Sequence, residues 1–461
     1  MALLEPDVRE LTDRRFRRMS GRSLGQGSGR RKRATGLPPG PRWPAWVQTV
    51  AVMRHRHWFH DYLHRTYGDT YTISMVPRGE QLVFFTRAEH TKEIFAGDPE
   101  VFHAGKANAI LGPIMGEHSL LLQDSDEHKR ARKLLMPAFN GQALREYQSL
   151  VTELAADEVA RWSPGEEFRS LDRMNALTLE VILRVVFGVT DEERLGRLRP
   201  LVNATVDISP AILLGWGYPK LQKFSLWKRM VETQHALDQV MYAEIRERRT
   251  APDLAERTDV LSRLIRAGEG EDALDDTELR DQLVTLLLAG HETTATALAW
   301  ALYEIGRDDE QLRRAREAAL HGDDAWLDAV LKESMRLHPV IPMVVRTLQR
   351  DATIGGIDLP AGTTVGPSII VTHAREDNHP DPEAFRPERF LDQNPPPNTW
   401  IPFGGGARRC IGAGFSLMEG VAVLRAVLAS YDVHAVGDDE PKVRNITSVP
   451  RHGARIRVSA R

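Results

Sequence analysis

The pattern of apolar and polar positions divides the chain into a largely helical middle and shorter strand-like segments on either side. Apolar residues recur every three or four positions in 128–139, 177–188 and 279–307, and this spacing predicts helices. The last helix, of roughly 30 residues, would be about 45 Å long if it were continuous. Asp275 and Glu278 resemble a capping box at its start. The pattern therefore predicts one long helix that crosses the whole domain.

Strand-like patterns occur before and after this helical part. "TYTISMV" (70–76) and "QLVFF" (81–85) are separated by a Pro/Gly turn, which predicts a hairpin. Segments 353–365 and 446–458 are typical of short strands with Gly/Pro turns, and 414–431 is typical of an apolar helix. No internal repeat and no clean linker is visible. We expect one mainly α domain with a minor β part over 37–461, after a basic tail at 1–36.

Bulk composition narrows the class of protein. The 461 residues include 61 Lys and Arg and 64 Asp and Glu, a net charge of −3, which argues against a nucleic-acid binder. A single cysteine excludes an internal disulfide and favours a reducing, cytoplasmic location. No apolar run approaches the roughly 18 residues of a membrane span, so no transmembrane anchor is expected. The first 33 residues carry ten Arg/Lys and four Asp/Glu, which predicts a flexible tail or a weak contact with an anionic surface.

The only cysteine, Cys410, lies in "FGGGARRCIG" (403–412). Glycines allow a close approach of the backbone to a ligand, and neighbouring arginines and a helix N-terminus favour the thiolate. One thiolate without partner cysteines or clustered histidines cannot hold zinc or an iron–sulfur cluster. It can be the single axial protein ligand of a haem iron.

Phe403, Gly406, Arg408, Cys410 and Gly412 match every fixed position of an F-x-x-G-x-R-x-C-x-G loop. With this loop the chain resembles the cytochrome P450 family, in its soluble bacterial form. The resemblance implies a triangular, mainly α-helical haem domain with a small β part and a long central helix over the haem. It also implies that the thiolate ligates the iron of haem b (iron protoporphyrin IX).

Glu333 and Arg336 lie three positions apart, so they share one helix face. Alone, such a pair is a common surface salt bridge. The resemblance adds Arg389 of "RPERF" (386–390) and implies a buried charge triad that fixes the segment before the cysteine loop.

The stretch "AGHETT" (289–294) places small residues beside an acid and two hydroxyls in the middle of the long predicted helix. A mid-helix threonine often only bonds back to a carbonyl. The resemblance implies more specific roles: Ala289 and Gly290 leave room for dioxygen, Thr293 donates a hydrogen bond there, and Glu292 supplies protons.

His128 and Arg132 lie four positions apart on one face of a basic helix, which by itself is typical of a solvated surface. Arginine suits planar carboxylates, and the resemblance implies that four side chains bind the haem propionates: His128, Arg132, Arg346 and Arg408. Further basic residues would face an acidic electron donor or simply be solvated: Lys129, Arg130, Lys133 and Arg409.

The resemblance implies insertion of one atom of O2 into an apolar small molecule by a monomeric enzyme. Electrons would come from a separate ferredoxin and an NAD(P)H-dependent ferredoxin reductase. The expected pocket residues are Ile110, Leu111, Leu287, Val340, Ile341, Val344, Ser448 and Val449. The segment 205–227, with Trp216, Tyr218, Phe224 and Trp227, is expected to cover this pocket.

Two other classes of enzyme remain open. The first is a haem-thiolate peroxygenase or isomerase, against which Glu292 and Thr293 argue. The second is a non-haem thiol enzyme with Cys410 as nucleophile and a distant histidine as base, which leaves the order of the other motifs unexplained.

Overall fold

A computed structural model describes residues 36–76, 80–189, 191–206, 225–268, 273–391 and 395–460. The described chain divides into two compact units, each assembled from separated segments. Unit 1 contains His103–Asn140 and Ile182–Ala289. Unit 2 contains 36–102, Gly141–Val181 and 290–460.

The secondary structure is mainly helical, as the apolar periodicity predicts. The helices of the described residues are α1 (Ala45–Tyr67), α2 (Ala88–Ala96), α3 (Ala104–Ala107), α4 (Gly112–Met115), α5 (Ser125–Leu135), α6 (Gly141–Val159), α7 (Ser170–Phe187), α8 (Glu192–Val206), α9 (Ser225–Arg249), α10 (Val260–Ala267), α11 (Asp276–Gly290), α12 (Glu292–Ile305), α13 (Asp309–His321), α14 (Asp324–Leu337), α15 (Ile369–His373) and α16 (Ala413–Ser430). Short 3-10 helices cover Ala109–Leu111, Met136–Phe139, Pro387–Phe390 and Gly406–Arg408.

The β part is small, which also agrees with the sequence. Its strands are β1 (Thr70–Met75), β2 (Glu80–Phe85), β3 (Phe102–His103), β4 (Glu167–Arg169), β5 (Arg346–Leu348), β6 (Ala352–Ile354), β7 (Ile357–Leu359), β8 (Thr364–Pro367), β9 (Asp432–Ala435), β10 (Pro441–Arg444), β11 (Thr447–Pro450) and β12 (Arg455–Ser459).

The largest sheet belongs to unit 2, where four of its strands lie in the order β1, β2, β8, β5. The predicted hairpin is confirmed: β1 and β2 are antiparallel, with Thr70 opposite Phe85. β8 runs parallel to β2, so a strand from late in the chain continues the hairpin. Val83, Phe85 and Val365 bury one face of this sheet against Phe95 of α2. The burial of these side chains gives unit 2 one of its apolar cores.

Helix α16 follows the cysteine loop and packs against α6, α13 and α14 within unit 2. Its 18 residues are long and apolar enough, by length and composition alone, to cross a membrane, and 44% of the segment is buried inside the protein. The segment contains the charged residues Glu419 and Arg425, so it is not an uninterrupted apolar run. Apolarity on most sides of a helix also results when several neighbours cover it.

Unit 1 is held together by a buried charge network that connects α9, α11 and the end of α4. Arg280 lies within 2.6 Å of Asp238 and within 2.9 Å of Asp281, and all three side chains are at most 2% exposed. Arg280 also donates to the Met115 carbonyl over 3.1 Å, and Asp281 accepts from the backbone N–H of His118 over 3.0 Å. These bonds attach the irregular chain after α4 to helix α11.

The long predicted helix is interrupted at His291, so it forms two helices, α11 and α12. The predicted capping box is confirmed, because Asp275 and Glu278 exchange backbone-to-side-chain bonds of 3.0 and 2.8 Å. Glycine at 290 has low helix propensity, and the hydroxyl of Thr178 bonds to the His291 carbonyl over 3.0 Å. The same carbonyl still accepts the N–H of Ala295 over 3.0 Å, so the regular helical bonds resume directly after the interruption.

Candidate functional site

The cysteine loop is a tight turn in front of α16. The backbone N–H of Cys410 donates to the Phe403 carbonyl over 2.9 Å, and that of Gly404 donates to Ile401 over 3.0 Å. Gly404 and Gly406 have φ angles of 64° and 63°, a region that favours glycine. Cys410 is exposed and forms no disulfide. The loop therefore presents one sulfur atom on a backbone whose conformation is fixed.

Two glycines of the loop have a packing role that the sequence did not reveal. A Cβ at Gly406 would lie 1.9 Å from the Phe95 carbonyl oxygen, and one at Gly405 would lie 2.2 Å from the Phe95 ring. Both residues therefore allow the loop to lie directly on α2. At Gly412, in contrast, a Cβ would meet nothing within 4 Å.

The six residues of "AGHETT" fall at the end of α11 and the start of α12. Ala289 is exposed and Gly290 is half-buried, whereas Leu287 is 1% exposed. Thr293 is half-buried. The hydroxyl of Thr294 lies 3.1 Å from that of Ser416. This bond connects α12 directly to α16, the helix that follows the cysteine loop.

Glu292 is buried and faces the hairpin β10–β11. Its Oε1 atom lies 3.4 Å from Nε of Arg444 and accepts from the Thr447 hydroxyl over 3.4 Å. The carboxylate side chain is 7% exposed and that of Arg444 is 32% exposed. The buried carboxylate therefore has a part-exposed guanidinium as its ion-pair partner. The arginine also extends from the buried acid toward solvent.

The structure brings Glu333, Arg336 and Arg389 together in unit 2. Arg336 holds both carboxylate oxygens of Glu333 at 2.7 and 2.9 Å, and Arg389 lies 3.1 Å from one of them. Glu333 is fully buried and Arg336 is 1% exposed. Arg336 also donates to the carbonyls of His373 (3.1 Å), Pro382 (2.8 Å) and Ala384 (3.1 Å). The triad thus attaches α14 to the irregular chain that precedes the cysteine loop.

The four side chains predicted to bind propionates lie on three elements. In unit 1, His128 and Arg132 lie one turn apart on α5, the first buried and the second half-buried. In unit 2, Arg346 begins β5 and is 7% exposed, and Arg408 ends the 3-10 helix beside Cys410. A buried arginine on a strand is expensive unless an anion or carbonyls accept its N–H groups.

The predicted pocket residues have diverse environments. The backbone N–H of Ser448 donates to the Val340 carbonyl over 2.8 Å, so the structure joins two of these segments in unit 2. Ile341 and Val344 pack against the apolar core of the sheet, and Val449 is 5% exposed. In unit 1, Ile110 is 42% exposed while Leu111 is buried.

Most of the predicted cover segment, including Trp216, Tyr218 and Phe224, lies outside the described residues. Trp227 lies on α9 and packs against Ile114 and Met230. It therefore contributes to a small apolar cluster of unit 1.

The basic residues proposed for donor docking divide into two kinds. Lys129, Lys133 and Arg409 are exposed. Arg130 instead pairs with Glu278 at 2.6 Å and donates to the Ala273 carbonyl. It binds α5 to the start of α11, and its side chain remains 32% exposed. Sequence could not show this, because its partner is 148 positions away.

Two groups near the site were missed by sequence reasoning. Arg444 and Thr447 bind Glu292, but they lie far along the chain and match no motif that we considered. Glu419 of α16 is buried, and neither oxygen has a hydrogen-bond partner among the described residues. Burial raises the pKa of Glu419 well above its usual range, because desolvation penalises the charged carboxylate.

Comparison with known proteins decides the family. Residues 37–458 match the sequence profile described as Cytochrome P450. The chain belongs to the cytochrome P450 family. It is 50% identical over 428 residues to cytochrome P450 135A1 of Mycobacterium tuberculosis, a match that covers 92% of this chain and 95% of the relative. It is 41% identical over 434 residues to cytochrome P450 135B1 of Mycobacterium bovis, covering 92% of each.

A solved structure shows the same fold. The retinoic acid-bound cyanobacterial CYP120A1 aligns with a TM-score of 0.80, covering 93% of this chain and 100% of its own, at 24% identity. The predicted cytochrome P450 fold is thereby confirmed. Members of this family are haem-thiolate monooxygenases, so this P450 is an oxidoreductase that holds haem b through a cysteine thiolate.

The donor set of this P450 fits a haem. In the part of the chain that the structure describes, no group of three or more His, Cys, Asp or Glu side chains could hold a metal ion. A porphyrin brings four nitrogen ligands and needs only one protein thiolate. Cys410 is the only cysteine of the chain, and its thiol is accessible. A single accessible cysteine is therefore a suitable protein ligand for an iron that is already bound within a porphyrin.

Proposed function

We propose that this P450 inserts one atom of O2 into a C–H bond of an apolar small molecule, while the second atom leaves as water. The reaction consumes two electrons and two protons, and the haem, when bound, supplies the redox-active iron at which dioxygen is reduced. A ferredoxin and an NAD(P)H-dependent ferredoxin reductase deliver the electrons to a monomeric enzyme. Residues 37–461 form the haem domain, and 1–36 form a separate basic tail.

The observation that carries this proposal is the accessible thiol of Cys410 on a fixed loop. The backbone bond of Cys410 to Phe403 and the positive φ of Gly404 and Gly406 fix the backbone that carries the sulfur. A Cβ at Gly412 would meet nothing within 4 Å. Because the loop backbone need not change its conformation when the metal binds, the thiolate favours a single coordination geometry.

Protons reach the site through Glu292 and Thr293 in this proposal. Glu292 is buried, but its partner Arg444 reaches solvent, so the carboxylate can exchange protons by turning away from the guanidinium. Thr293 follows in the sequence and offers a hydroxyl donor. Arg444 and Thr447 act as positioning residues, since they set the direction of the carboxylate.

The remaining predicted residues hold the haem or the substrate. His128, Arg132, Arg346 and Arg408 bind the propionates, and Ala289 and Gly290 leave room for O2. The triad of Glu333, Arg336 and Arg389 keeps the cysteine loop in place. The apolar substrate contacts Ile110, Leu111, Leu287, Val340, Ile341, Val344 and Val449.

The thiolate ligand is tested with the reduced, CO-bound holoenzyme. We expect the red-shifted Soret band of a haem thiolate, and we expect Cys410→Ser to lose it while keeping the helical circular dichroism of the parent. A parent spectrum without that band contradicts the proposal.

Proton delivery is tested with Thr293→Ala, using a compound found by screening for a low-to-high-spin shift. We expect NAD(P)H consumption to continue while product falls and hydrogen peroxide rises. The matched control is Thr296→Ala, whose hydroxyl only bonds to the Glu292 carbonyl over 2.8 Å. Equal coupling in both variants would show that Thr293 does not deliver protons.

A further inference from the structure

Exposed apolar side chains are concentrated on the outer surface of α1 and in the two residues before it. Four of the large apolar side chains that are exposed in the described chain lie within residues 43–58: Trp43, Trp46, Val50 and Trp58. Trp46 is 63% exposed and Trp58 is 56% exposed. Scattered single apolar residues are normal on a surface, whereas a concentration of them marks an interaction site.

Three aromatic rings form a stacked row on this surface. Tyr62 lies between Trp43 and Trp58, with ring centroids 5.5 and 5.6 Å apart and interplanar angles of 10° and 13°. Trp43 also stacks on Phe59 at 5.8 Å, and Phe59 is fully buried. The exposed rings are therefore held in place before any partner binds, which lowers the entropy cost of binding.

The charge around these rings is positive. Arg42 and Arg54 are exposed and make no ion pair with other described residues, while the nearby acid Asp61 pairs with Arg65 at 2.9 Å. The sequence that precedes this region adds ten Arg/Lys against four Asp/Glu in its first 33 residues. We call Trp43, Trp46, Val50, Arg54 and Trp58 the α1 face.

We propose that the α1 face docks on an anionic lipid surface. Indole rings favour the boundary between lipid headgroups and acyl chains, and arginine favours anionic headgroups. Trp46, Val50 and Arg54 follow at four-residue spacing on one side of α1, and Trp58 lies beyond a kink at His55. A helix with exposed apolar side chains on one side can lie on a bilayer without crossing it. A second copy of the chain is a poorer occupant, since a two-fold contact would bring like charges together.

The test measures sedimentation of the full-length holoenzyme with two kinds of vesicle: phosphatidylcholine alone, and phosphatidylcholine mixed with phosphatidylglycerol. We expect binding to the mixed vesicles that weakens as salt rises. The double variant Trp46→Ser/Trp58→Ser should partition at least about tenfold less, because two indoles no longer bury apolar area. Brominated lipid should quench tryptophan emission in the parent and much less in this variant.

The matched control is Leu320→Ser on α13, where the parent side chain is 53% exposed. It should bind vesicles as the parent does. The proposal is wrong if the parent does not sediment, or if the double tryptophan variant binds equally well, which would assign binding to the basic tail. It is also wrong if the parent dimerises with concentration and the variant does not, because the α1 face would then join two copies.

Discussion

The two compact units each contain a buried network of charged side chains, and the two networks have opposite composition. In unit 2 one carboxylate, Glu333, lies between two guanidinium groups. In unit 1 one guanidinium, Arg280, lies between two carboxylates. The first network carries an excess positive charge and the second an excess negative charge, so each needs compensation from uncharged groups.

The backbone supplies hydrogen-bond partners to both networks. The two guanidinium groups of unit 2 donate to five carbonyl groups, those of His373, Pro380, Asp381, Pro382 and Ala384. In unit 1, Asp281 accepts the backbone N–H of His118, and Arg280 donates to the Met115 carbonyl. Most of these partners belong to irregular chain, while His373 and Met115 are the last residues of the short helices α15 and α4. Buried charge thus provides the hydrogen bonds that a segment without helix or strand cannot make for itself.

A glycine also allows the backbone to contact the charge network of unit 1 closely. Gly116 has a φ of 90°, and a Cβ there would lie 1.9 Å from an oxygen of Asp281. The backbone therefore approaches the carboxylate more closely than any side chain allows.

The largest effect should come from Glu333→Gln, which leaves two guanidinium groups without their shared carboxylate. We expect a loss of about 3–5 kcal/mol of unfolding free energy, since uncompensated buried charge is costly. Hydrogen exchange measured by mass spectrometry should show faster exchange in 373–389. Unchanged protection there would mean that the triad does not hold this segment.

Arg280→Met removes the central charge of the network in unit 1, as Glu333→Gln does in unit 2. It leaves Asp238 and Asp281 buried without their counter-charge. We expect a similar loss of about 3–5 kcal/mol. Faster hydrogen exchange should appear in 112–118 and not in 373–389. If both variants loosened the same segments, the two networks would not act within separate units.

Asp238→Asn is a milder test of unit 1. Arg280 keeps Asp281 and the Met115 carbonyl in this variant, and asparagine can still accept one hydrogen bond. A loss of about 1–3 kcal/mol is expected from chemical denaturation. A loss as large as that of Arg280→Met would show that the Asp238 charge alone carries the network.

Glu419 extends the comparison to a buried acid whose oxygens have no hydrogen-bond partner among the described residues. Because burial raises its folded pKa, the folded state keeps a proton that the unfolded state releases above about pH 4.5. Its contribution to stability is therefore fully present at acid pH and is lost as pH rises. Glu419→Gln should flatten this decline in thermal midpoint between acid and alkaline pH, and an unchanged slope would argue against a buried neutral acid.

The smallest effect is expected at the surface. Arg313 pairs with Glu310 and Glu317 on exposed α13, where water screens the charges. Arg313→Gln should leave the thermal midpoint unchanged within error. It serves as the control for the buried variants, and a large loss would contradict the distinction between buried and exposed pairs.

Local patterns in the sequence predicted much of the fold. The capping box of Asp275 and Glu278, the hairpin β1–β2 and helix α16 depend on near neighbours, so spacing reveals them. Helix α1 was missed, since its buried side includes the polar Gln48, Thr49 and Arg56, which blur its apolar periodicity.

The candidate site could also be predicted only in part from the sequence. The family loop identified Cys410, and the order of motifs pointed to Glu333, Arg336 and Arg389. The ion pair of Arg130 with Glu278 and that of Glu292 with Arg444, however, were not anticipated. Both contacts join residues more than a hundred positions apart. A contact between such distant residues produces no periodic pattern in the sequence from which it could be predicted.

The sequence by itself determined the helical class, the short strands, the thiol loop and the family, because each depends on nearby residues. Only the tertiary structure decided which charges are buried together, where the long helix is interrupted, why Gly405 and Gly406 lie against Phe95, and which face of α1 is left exposed. These properties depend on which distant segments pack together. That choice sets the local dielectric, and the local dielectric decides whether a charge is paired, neutralised or left in solvent.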